Sequence, residues 1–347
     1  MENEDLLFKI TFIDGLKDFV VSELKNFDIK IEFIKENVLF VRCDHFKVDS
    51  LLSLKSVIDV ELCNINAKFN PKYLSNHKNI LGKMIDKVLI FSTNKFKSYY
   101  ISCAGSDTVE IFELKQFVEY NYKLVWEQQA DLRINIGKIY DEWIISIRIS
   151  NRPLSLRNWK VSNVEGGLNP TIAYCMNILS CPEPDERYLN VMSGSATLLI
   201  ERAIYMGAKQ LVGFDHDGVR NTLAIENIKK AKLIKLIQLN TQDIFNEPNF
   251  GQFRTITCDL PWGQLVGKKE NLEDLYNKFL IYVSRYLQID GSCVILTLNK
   301  DIVQKILCSL GLVIENEIRL KISTNTKNIY KVYINPIILT IHKNKFI

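Results

Sequence analysis

The sequence lacks long apolar runs. No segment approaches the roughly 18 consecutive apolar residues that a membrane-spanning helix requires. The first residues, Met1-Glu2-Asn3-Glu4-Asp5, are acidic and precede no apolar run, so we expect neither a secretory signal nor a membrane anchor. Low-complexity stretches and convincing internal repeats are also missing. These absences favour a globular protein.

Cysteines at metal-binding spacing are also absent. The eight cysteines are scattered, and no two of them form a Cys-x-x-Cys pair. Several lie within apolar stretches, where a reduced cysteine behaves as a small apolar side chain. We therefore predict no disulfide framework and no metal site, and we expect a reducing, cytoplasmic compartment.

The composition is that of an ordinary globular chain. Its 347 residues carry a net charge of +4, with 47% apolar and 24% charged residues. This length predicts about two domains, and the apolar content is sufficient for a large core. The small positive charge is compatible with a nucleic-acid partner but is weak evidence for one.

The first 150 residues alternate between strand-like and helix-like segments. Residues 8–12 have a period of two, and an apolar helical stripe, a strand and a helix-to-strand segment follow up to residue 60. This order is typical of a βαββαβ unit. A second unit is predicted to have strands at 99–103, 130–136 and 142–149, a turn at 105–108 and a helix at 109–126.

From about residue 170 onward, strands and helices alternate throughout. This alternation predicts a parallel sheet with helices on both faces. In open sheets of this kind the ligand lies at the carboxyl ends of the strands. The informative loops of this half all follow predicted strands.

Three of these loops predict a nucleotide-type site for S-adenosylmethionine. Residues 190–197 form a turn of small residues before a helix, whose free N–H groups suit close approach of a ligand. Asp215 follows that turn by about 20 residues and suits a bidentate hydrogen bond to ribose hydroxyls. Asp243 is a candidate acceptor for the adenine amine. Thr171, in a helix that begins near Pro170, is a candidate contact for the amino-acid end of the cofactor. The candidate cofactor-binding residues are Thr171, Asn190, Met192, Gly194, Ala196, Thr197, Asp215, Asp243 and Asp259.

Each of these residues also has a purely structural interpretation. A tight turn explains the small residues around Gly194. N-capping of a helix explains Asp217 better than a ligand role does, and it explains Asp243 equally well. Helix initiation with a proline near its first position explains Thr171. The ordered combination of such loops at successive strand ends is much less expected by chance than any one of them.

A fourth loop, Asp259-Leu260-Pro261-Trp262-Gly263, follows the predicted buried strand 255–258. The Asp259 carboxylate and the Leu260 carbonyl can accept hydrogen bonds from an exocyclic NH2 group. Pro261 fixes φ at about −65° and has no N–H that would compete, and Trp262 offers a face for stacking a flipped base. The pattern is typical of enzymes that methylate an exocyclic amine of a nucleobase. Taken alone, it is equally compatible with a turn and a core tryptophan.

With this loop the chain resembles the THUMP-domain RNA guanine-N2 methyltransferases, and among them the enzymes that act on the guanosine at position six of the tRNA acceptor stem. The resemblance covers nearly the whole chain. The segments that carry it are 153–160, 168–173, 192–197, 213–215 with Ala224 and Asn227, and 259–263 with Gly267-Lys268-Lys269 and Leu275-Tyr276.

The resemblance implies a fold and a domain order. It implies an α/β Rossmann-like class I methyltransferase domain at 169–347, preceded by an α+β N-terminal half. That half would comprise a ferredoxin-like domain at 1–62 and a THUMP-like RNA-binding domain at 63–150, with a linker at 151–168.

The resemblance also implies the partners and the chemistry. The cofactor would be S-adenosylmethionine, the substrate tRNA, and the catalytic residues Asp259, Leu260, Pro261 and Trp262. Eukaryotic members of the family act with a small zinc-binding activator, so the same partner is expected if this chain is eukaryotic, and a monomer otherwise.

Four positions depart from the family pattern. Asn190 stands where aspartate is usual, Ala196 where glycine is usual and Gln264 where a basic residue is common. The Ala196 methyl group is expected to lower the affinity for the cofactor, and Gln264 puts a phosphate contact in doubt. Trp262 replaces a tyrosine or phenylalanine and preserves stacking.

Three other functions are compatible with the sequence. They are the same chemistry on ribosomal RNA, N6-adenine methylation of DNA, and an RNA-binding scaffold with a decayed transferase half. The THUMP-like half argues against DNA. Asn190 and Ala196 slightly favour the scaffold, whereas the intact set of Asp215, Asp243 and residues 259–262 argues against it.

Overall fold

The computed structural model describes most of the chain in two compact units. The described residues are 5–65, 70, 73, 78–92, 96–103, 108–139, 141–263, 272–310, 312–325, 331–334 and 337–343. The first unit comprises Met1–Ile13 and Lys17–Ser155, and the second comprises Asp14–Leu16 and Leu156–Ile347.

The described part of the first unit contains one sheet of eight strands in the order β2-β3-β1-β4-β8-β7-β5-β6. Its elements are β1 (Leu6–Phe12), α1 (Lys17–Asn26), β2 (Lys30–Lys35), β3 (Val38–Cys43), α2 (Val48–Leu52), β4 (Val57–Ile65), α3 (Lys78–Phe91), β5 (Ser98–Cys103), α4 (Val109–Tyr122), β6 (Val125–Trp126), β7 (Leu132–Ile139) and β8 (Glu142–Arg148).

The first six elements have the predicted βαββαβ order. Strands β2, β3, β1 and β4 are antiparallel neighbours, as in a split βαβ unit. Alternation along β1 places Phe8, Ile10 and Phe12 in one buried cluster with Val20 and Leu24 of α1. The sheet continues from β4 into β8, so the division at residue 62 remains a prediction.

The helix expected at residues 109–126 is shorter than predicted. It ends at Tyr122 because Lys123 adopts a left-handed conformation with φ of 55°, and the Lys123 N–H donates to the Glu119 carbonyl. Val125–Trp126 then forms the edge strand β6 beside β5. Residues 105–107 of the predicted turn lie outside the described residues.

The second unit contains a mostly parallel sheet, which differs from the predicted parallel sheet by one antiparallel strand, β17 (Ile337–Lys343). Its described elements are α5 (Pro170–Leu179), β9 (Arg187–Val191), α6 (Thr197–Tyr205), β10 (Gln210–Asp215), α7 (Gly218–Lys230), β11 (Ile237–Thr241), β12 (Phe253–Asp259), α8 (Leu272–Tyr286), β13 (Leu287–Thr297), α9 (Lys300–Leu310), β14 (Leu312–Arg319), β15 (Ile322–Asn325), β16 (Lys331–Ile334) and β17 (Ile337–Lys343).

The strand order in this sheet is β11-β10-β9-β12-β13-β17-β14, and β17 is antiparallel to both of its neighbours. This order, with one reversed strand near an edge, is that of a class I methyltransferase, and the predicted Rossmann-like fold is confirmed. Within the described residues, no helix is long and apolar enough to cross a membrane.

Gly213 in the middle of β10 allows α6 to pack against the sheet. A Cβ atom at this position would lie 2.4 Å from Leu199 Cδ1, 3.2 Å from Leu239 Cδ1 and 3.3 Å from Ser193 Cβ. Leu199 is fully buried in α6. The absence of a side chain at Gly213 therefore allows α6, the helix after the first loop, to pack close to the sheet.

Gly213→Ala is expected to destabilise the second unit by about 1–3 kcal/mol, because overpacking forces Leu199 off its position. Gly218→Ala is the matched control, since a Cβ there meets nothing within 4 Å. Calorimetric unfolding of both variants measures the difference. Equal stabilities would contradict this account of the α6 packing.

Candidate active site

Four parallel strands bring their carboxyl ends to one edge of the sheet. They are neighbours in the order β11, β10, β9 and β12. Asn190 lies opposite Gly213 on one side and Thr257 on the other. The loops after these strands are therefore adjacent. From β9 the chain builds the sheet in one direction through β10 and β11, and from β12 it continues in the other direction. Open sheets bind ligands at the point between such neighbouring strands.

Asp215 ties the first two loops together. Its buried carboxylate accepts hydrogen bonds from the Gly194 N–H at 2.9 Å and the Asp217 N–H at 3.0 Å. The first loop is tightly curled, because Met192, Gly194 and Ala196 all have positive φ, at 51°, 52° and 61°. A Cβ at Gly194 would meet nothing within 4 Å. The loop thus presents open space beside a fixed carboxylate.

Two positions that depart from the family pattern have structural roles. Ala196 is fully buried in an apolar cluster with Leu199 and Ala224. The Asn190 side-chain amide donates to the Thr257 carbonyl at 3.1 Å and to the Val191 carbonyl at 3.3 Å. An ionised aspartate could not make these bonds because it has no donor.

The remaining candidate residues are engaged at helix starts. Asp217 caps α7 through the Val219 N–H at 2.8 Å, as its structural interpretation predicts. Asp243 accepts from the Phe245 N–H at 2.9 Å, at the start of a short 3-10 turn. The fully buried Thr171 donates its N–H to the Asn169 side chain at 2.8 Å. Thr197, the first residue of α6, contacts the Ser195 hydroxyl at 3.0 Å.

The loop at residues 259–263 continues β12 and is held at several points. The Leu260 N–H donates to the Leu296 carbonyl at 3.0 Å. Gly263 has a φ of 78°, which favours glycine, and a Cβ there would lie 2.6 Å from Leu272 Cδ1 and would displace that side chain. The Trp262 side chain is partly exposed, and its Nε1 has no partner among the described residues. Gln264, Gly267, Lys268 and Lys269 lie outside those residues.

Asp259 is a carboxyl group in an unfavourable environment for its charge. Part of its surface stays accessible, yet burial raises its pKa to about 7, and the nearby Lys160 ammonium opposes that rise. Burial lowers the pKa of Lys160 to about 8, while Asp259 and Glu201 oppose the change. Both groups therefore change charge near neutral pH.

Lys160 is held in place by the segment that was predicted to be a linker. Its amine donates to the Leu168 carbonyl just before α5. The Val161 and Ser162 N–H groups donate to Asn227 Oδ1 at 3.0 and 2.9 Å, and the Asn227 amide donates to the Ser195 carbonyl of the first loop. This segment is thus anchored to the same edge of the sheet as the loops.

The polar groups around the first loop fit an adenosyl cofactor. Among the described residues, Asn190 Oδ1 and Ser193 Oγ are buried without hydrogen-bond partners, and they lie in or next to the first loop. Together with the space at Gly194 and the Asp215 carboxylate, they can serve a polar ligand with a ribose. No group of three or more His, Cys, Asp or Glu suited to a metal occurs in the described part of the chain.

Sequence reasoning missed three polar residues of this site. Tyr276 of α8, quoted above only for its resemblance, bonds to the Pro261 carbonyl, and Thr297 and Asn299 bond to Tyr276. Thr297 and Asn299 lie at the carboxyl end of β13. The strand-end rule applied to a fifth strand would have found them.

A family model matches residues 157–328, and its description is the RMKL-like methyltransferase domain, UPF0020. The tRNA (guanine(6)-N2)-methyltransferase of Thermus thermophilus is 29% identical over 51% of this chain and 52% of that protein. The enzyme of the same name from Methanocaldococcus jannaschii is 21% identical over 84% of this chain and 90% of its own length.

Two solved structures share the fold. TrmN from Thermus thermophilus has a TM-score of 0.74 at 19% identity, covering 98% of this chain and 100% of that chain. SMU.472, solved in complex with SAH, has a TM-score of 0.71 at 15% identity and full coverage of both chains. The family model covers the strands and loops of the site described above. Residues 157–328, just under half of the chain, are therefore similar to the RMKL-like methyltransferase domain.

Proposed function

We propose that this protein transfers a methyl group from S-adenosylmethionine to the exocyclic N2 amine of a guanosine in tRNA, at position six of the acceptor stem. The observation that carries the proposal is the loop at residues 259–262, whose carboxylate and backbone carbonyl end the strand next to the first loop. Two curated relatives named for this reaction support the choice of tRNA and of guanine N2.

The chemistry assigns a distinct task to each residue of that loop. S-adenosylmethionine supplies an electrophilic methyl group. Asp259 and the Leu260 carbonyl accept the two amine hydrogens and aim the nitrogen lone pair at that methyl group. As the N–C bond forms and the S–C bond breaks, one proton leaves the amine, and the Asp259 carboxylate is suited to accept it. Positioning and electrostatics supply most of the rate.

Trp262 is suited to hold the target base outside its duplex. Extruding an acceptor-stem guanine costs a few kcal/mol. Stacking on an aromatic face returns about 1–3 kcal/mol per base. Trp262 is partly exposed, while its Nε1 is buried without a hydrogen-bond partner among the described residues.

The first unit supplies a candidate surface for the RNA, consistent with a THUMP-like role for residues 63–150. The Trp126 side chain, 44% exposed, lies 5.8 Å from the Tyr100 ring, centroid to centroid. Lys115 Nζ lies 5.5 Å from the Trp126 ring and Arg133 Cζ lies 5.0 Å from the Tyr100 ring. Such a surface suits unpaired nucleotides, because aromatic rings can stack on the bases and the cations can contact the phosphates.

The proposal is tested with labelled S-adenosylmethionine and unmodified tRNA transcripts, followed by nucleoside identification. The expected product is N2-methylguanosine. Asp259→Ala is expected to abolish turnover while tRNA still binds, because the acceptor is lost and the rest of the surface remains. Equal loss of turnover and binding would contradict the role of Asp259.

The rate of the wild-type enzyme is expected to rise between about pH 6 and pH 8. The carboxylate is the active form, and its pKa of about 7 lies in that range. Asp259→Asn keeps one acceptor oxygen and cannot titrate, so it should be slower and should lose this acid limb. An unchanged acid limb in Asp259→Asn would assign the titration to another group.

Asp215→Asn is expected to weaken S-adenosylmethionine binding about tenfold or more in calorimetric titration. The Asp215 carboxylate accepts hydrogen bonds from two backbone N–H groups. In the asparagine variant, an NH2 group would face one of these N–H donors, and the charge of the carboxylate would be lost. Asp217→Asn is the matched control, because asparagine caps a helix as well as aspartate does. Equal affinities of the two variants would remove Asp215 from the cofactor site.

Trp126→Ala is expected to weaken tRNA binding about tenfold through loss of stacking, with little change in kcat. Trp126→Phe retains an aromatic face and should recover most of the affinity. Filter binding and steady-state kinetics measure the two effects. Wild-type affinity in Trp126→Ala would exclude this surface from RNA recognition.

A further inference from the structure

The hydroxyl group of Tyr276 connects the loop at residues 259–263 to the end of a neighbouring strand. Tyr276 is fully buried in α8, and its hydroxyl donates to the Pro261 carbonyl at 2.8 Å. The same oxygen lies 2.9 Å from Thr297 Oγ1 and accepts from the Asn299 side-chain amide at 3.2 Å. Asn299 is itself fixed, because its N–H donates to Thr297 Oγ1 at 3.0 Å.

These bonds fix the backbone on both sides of the Leu260 carbonyl. On one side, the Leu260 N–H is bonded to the Leu296 carbonyl of β13. On the other side, the Pro261 carbonyl is bonded to Tyr276. Pro261 has a restricted φ and a planar peptide bond links it to Leu260. The Leu260 carbonyl therefore has little freedom to turn.

We propose that Tyr276, supported by Thr297 and Asn299, is a positioning residue that orients the Leu260 carbonyl toward the amine of the substrate. This inference rests on the function proposed above. Tyr276 does not touch the reacting atoms. It acts through the backbone, by excluding the rotated forms of the loop in which the carbonyl oxygen points away from the amine.

The hydrogen bond from the amine to the Leu260 carbonyl depends on direction, so a rotated carbonyl should lower the reaction rate measurably. A hydrogen bond weakens steeply when its angle departs from linearity. Small misplacements of groups around reacting atoms cost large factors in rate. Loss of the Tyr276 hydroxyl should thus lower kcat, whereas binding of the cofactor should change little, because most of the candidate cofactor-binding residues lie outside the loop at residues 259–263.

The chain contains a matched control on the same helix. Tyr282 is also fully buried in α8, and its hydroxyl also donates to a proline carbonyl, that of Pro248, at 2.7 Å. Pro248 follows Asp243 in the connection between β11 and β12, and it lies outside the loop at residues 259–263. Tyr282→Phe therefore removes the same type of hydrogen bond from the same helix without touching the loop of Asp259.

The test compares Tyr276→Phe with Tyr282→Phe in the full-length protein. Tyr276→Phe is expected to lower kcat on the order of tenfold, with the KM for tRNA and the S-adenosylmethionine affinity near wild type. Tyr282→Phe should also lose some thermal stability but should keep its kcat. Thr297→Val, combined with Tyr276→Phe, should add little, because both act through one hydroxyl.

Hydrogen exchange followed by mass spectrometry supplies a readout that needs no substrate. Tyr276→Phe should speed exchange in a peptide containing Leu260 to Gly263, and Tyr282→Phe should not. If both variants have the same kcat, or if exchange at Leu260 is unchanged in Tyr276→Phe, the inference is overturned. If the wild-type protein methylates no tRNA, the proposed function fails, and the exchange data alone decide the role of Tyr276.

Discussion

The parallel pairing of β9 with both β10 and β12 is the interaction on which the site depends. It places Asn190 between Gly213 and Thr257, so the loops after three strands begin at the same level. Residues separated by about 70 positions in sequence then share one edge of a sheet. The curl of the first loop, the Asp215 bridge and the position of Asp259 all follow from this register.

A second constraint is electrostatic. The surroundings of Asp259 disfavour a charge on its carboxyl group, and the Lys160 ammonium partly offsets this effect. Lys160 is itself destabilised as an ion by the same burial. Both groups therefore change charge near neutral pH, which suits the acceptor role that we propose for Asp259.

The sequence predicts the order of elements and the strand-end loops because both depend on local patterns. The alternation of apolar and polar residues predicts the strands. Gly194, Asp215 and Asp259 lie at or just after the carboxyl ends of predicted strands, where open sheets bind ligands. The Val109 helix was predicted too long because apolar residues continue past Tyr122, and only the left-handed turn at Lys123 ends it.

The parts that could not be predicted depend on contacts between distant residues. The amide of Asn190 bonds to Thr257, 67 residues away, and Tyr276 meets Pro261 across 15 residues. The field of Lys160 at Asp259 has no local signature at all. Such pairs become visible only when packing brings their elements together.

Asn190 also limits how this chain can change. Both hydrogens of its amide are directed at backbone carbonyls, of Val191 and Thr257, inside the sheet. Asn190→Asp would place a charge against two carbonyl oxygens. The two residues are therefore not interchangeable by a single step in this background. An aspartate at this position would need compensating changes around the Val191 and Thr257 carbonyls, so the Asn190 side chain helps to hold β9 beside β12.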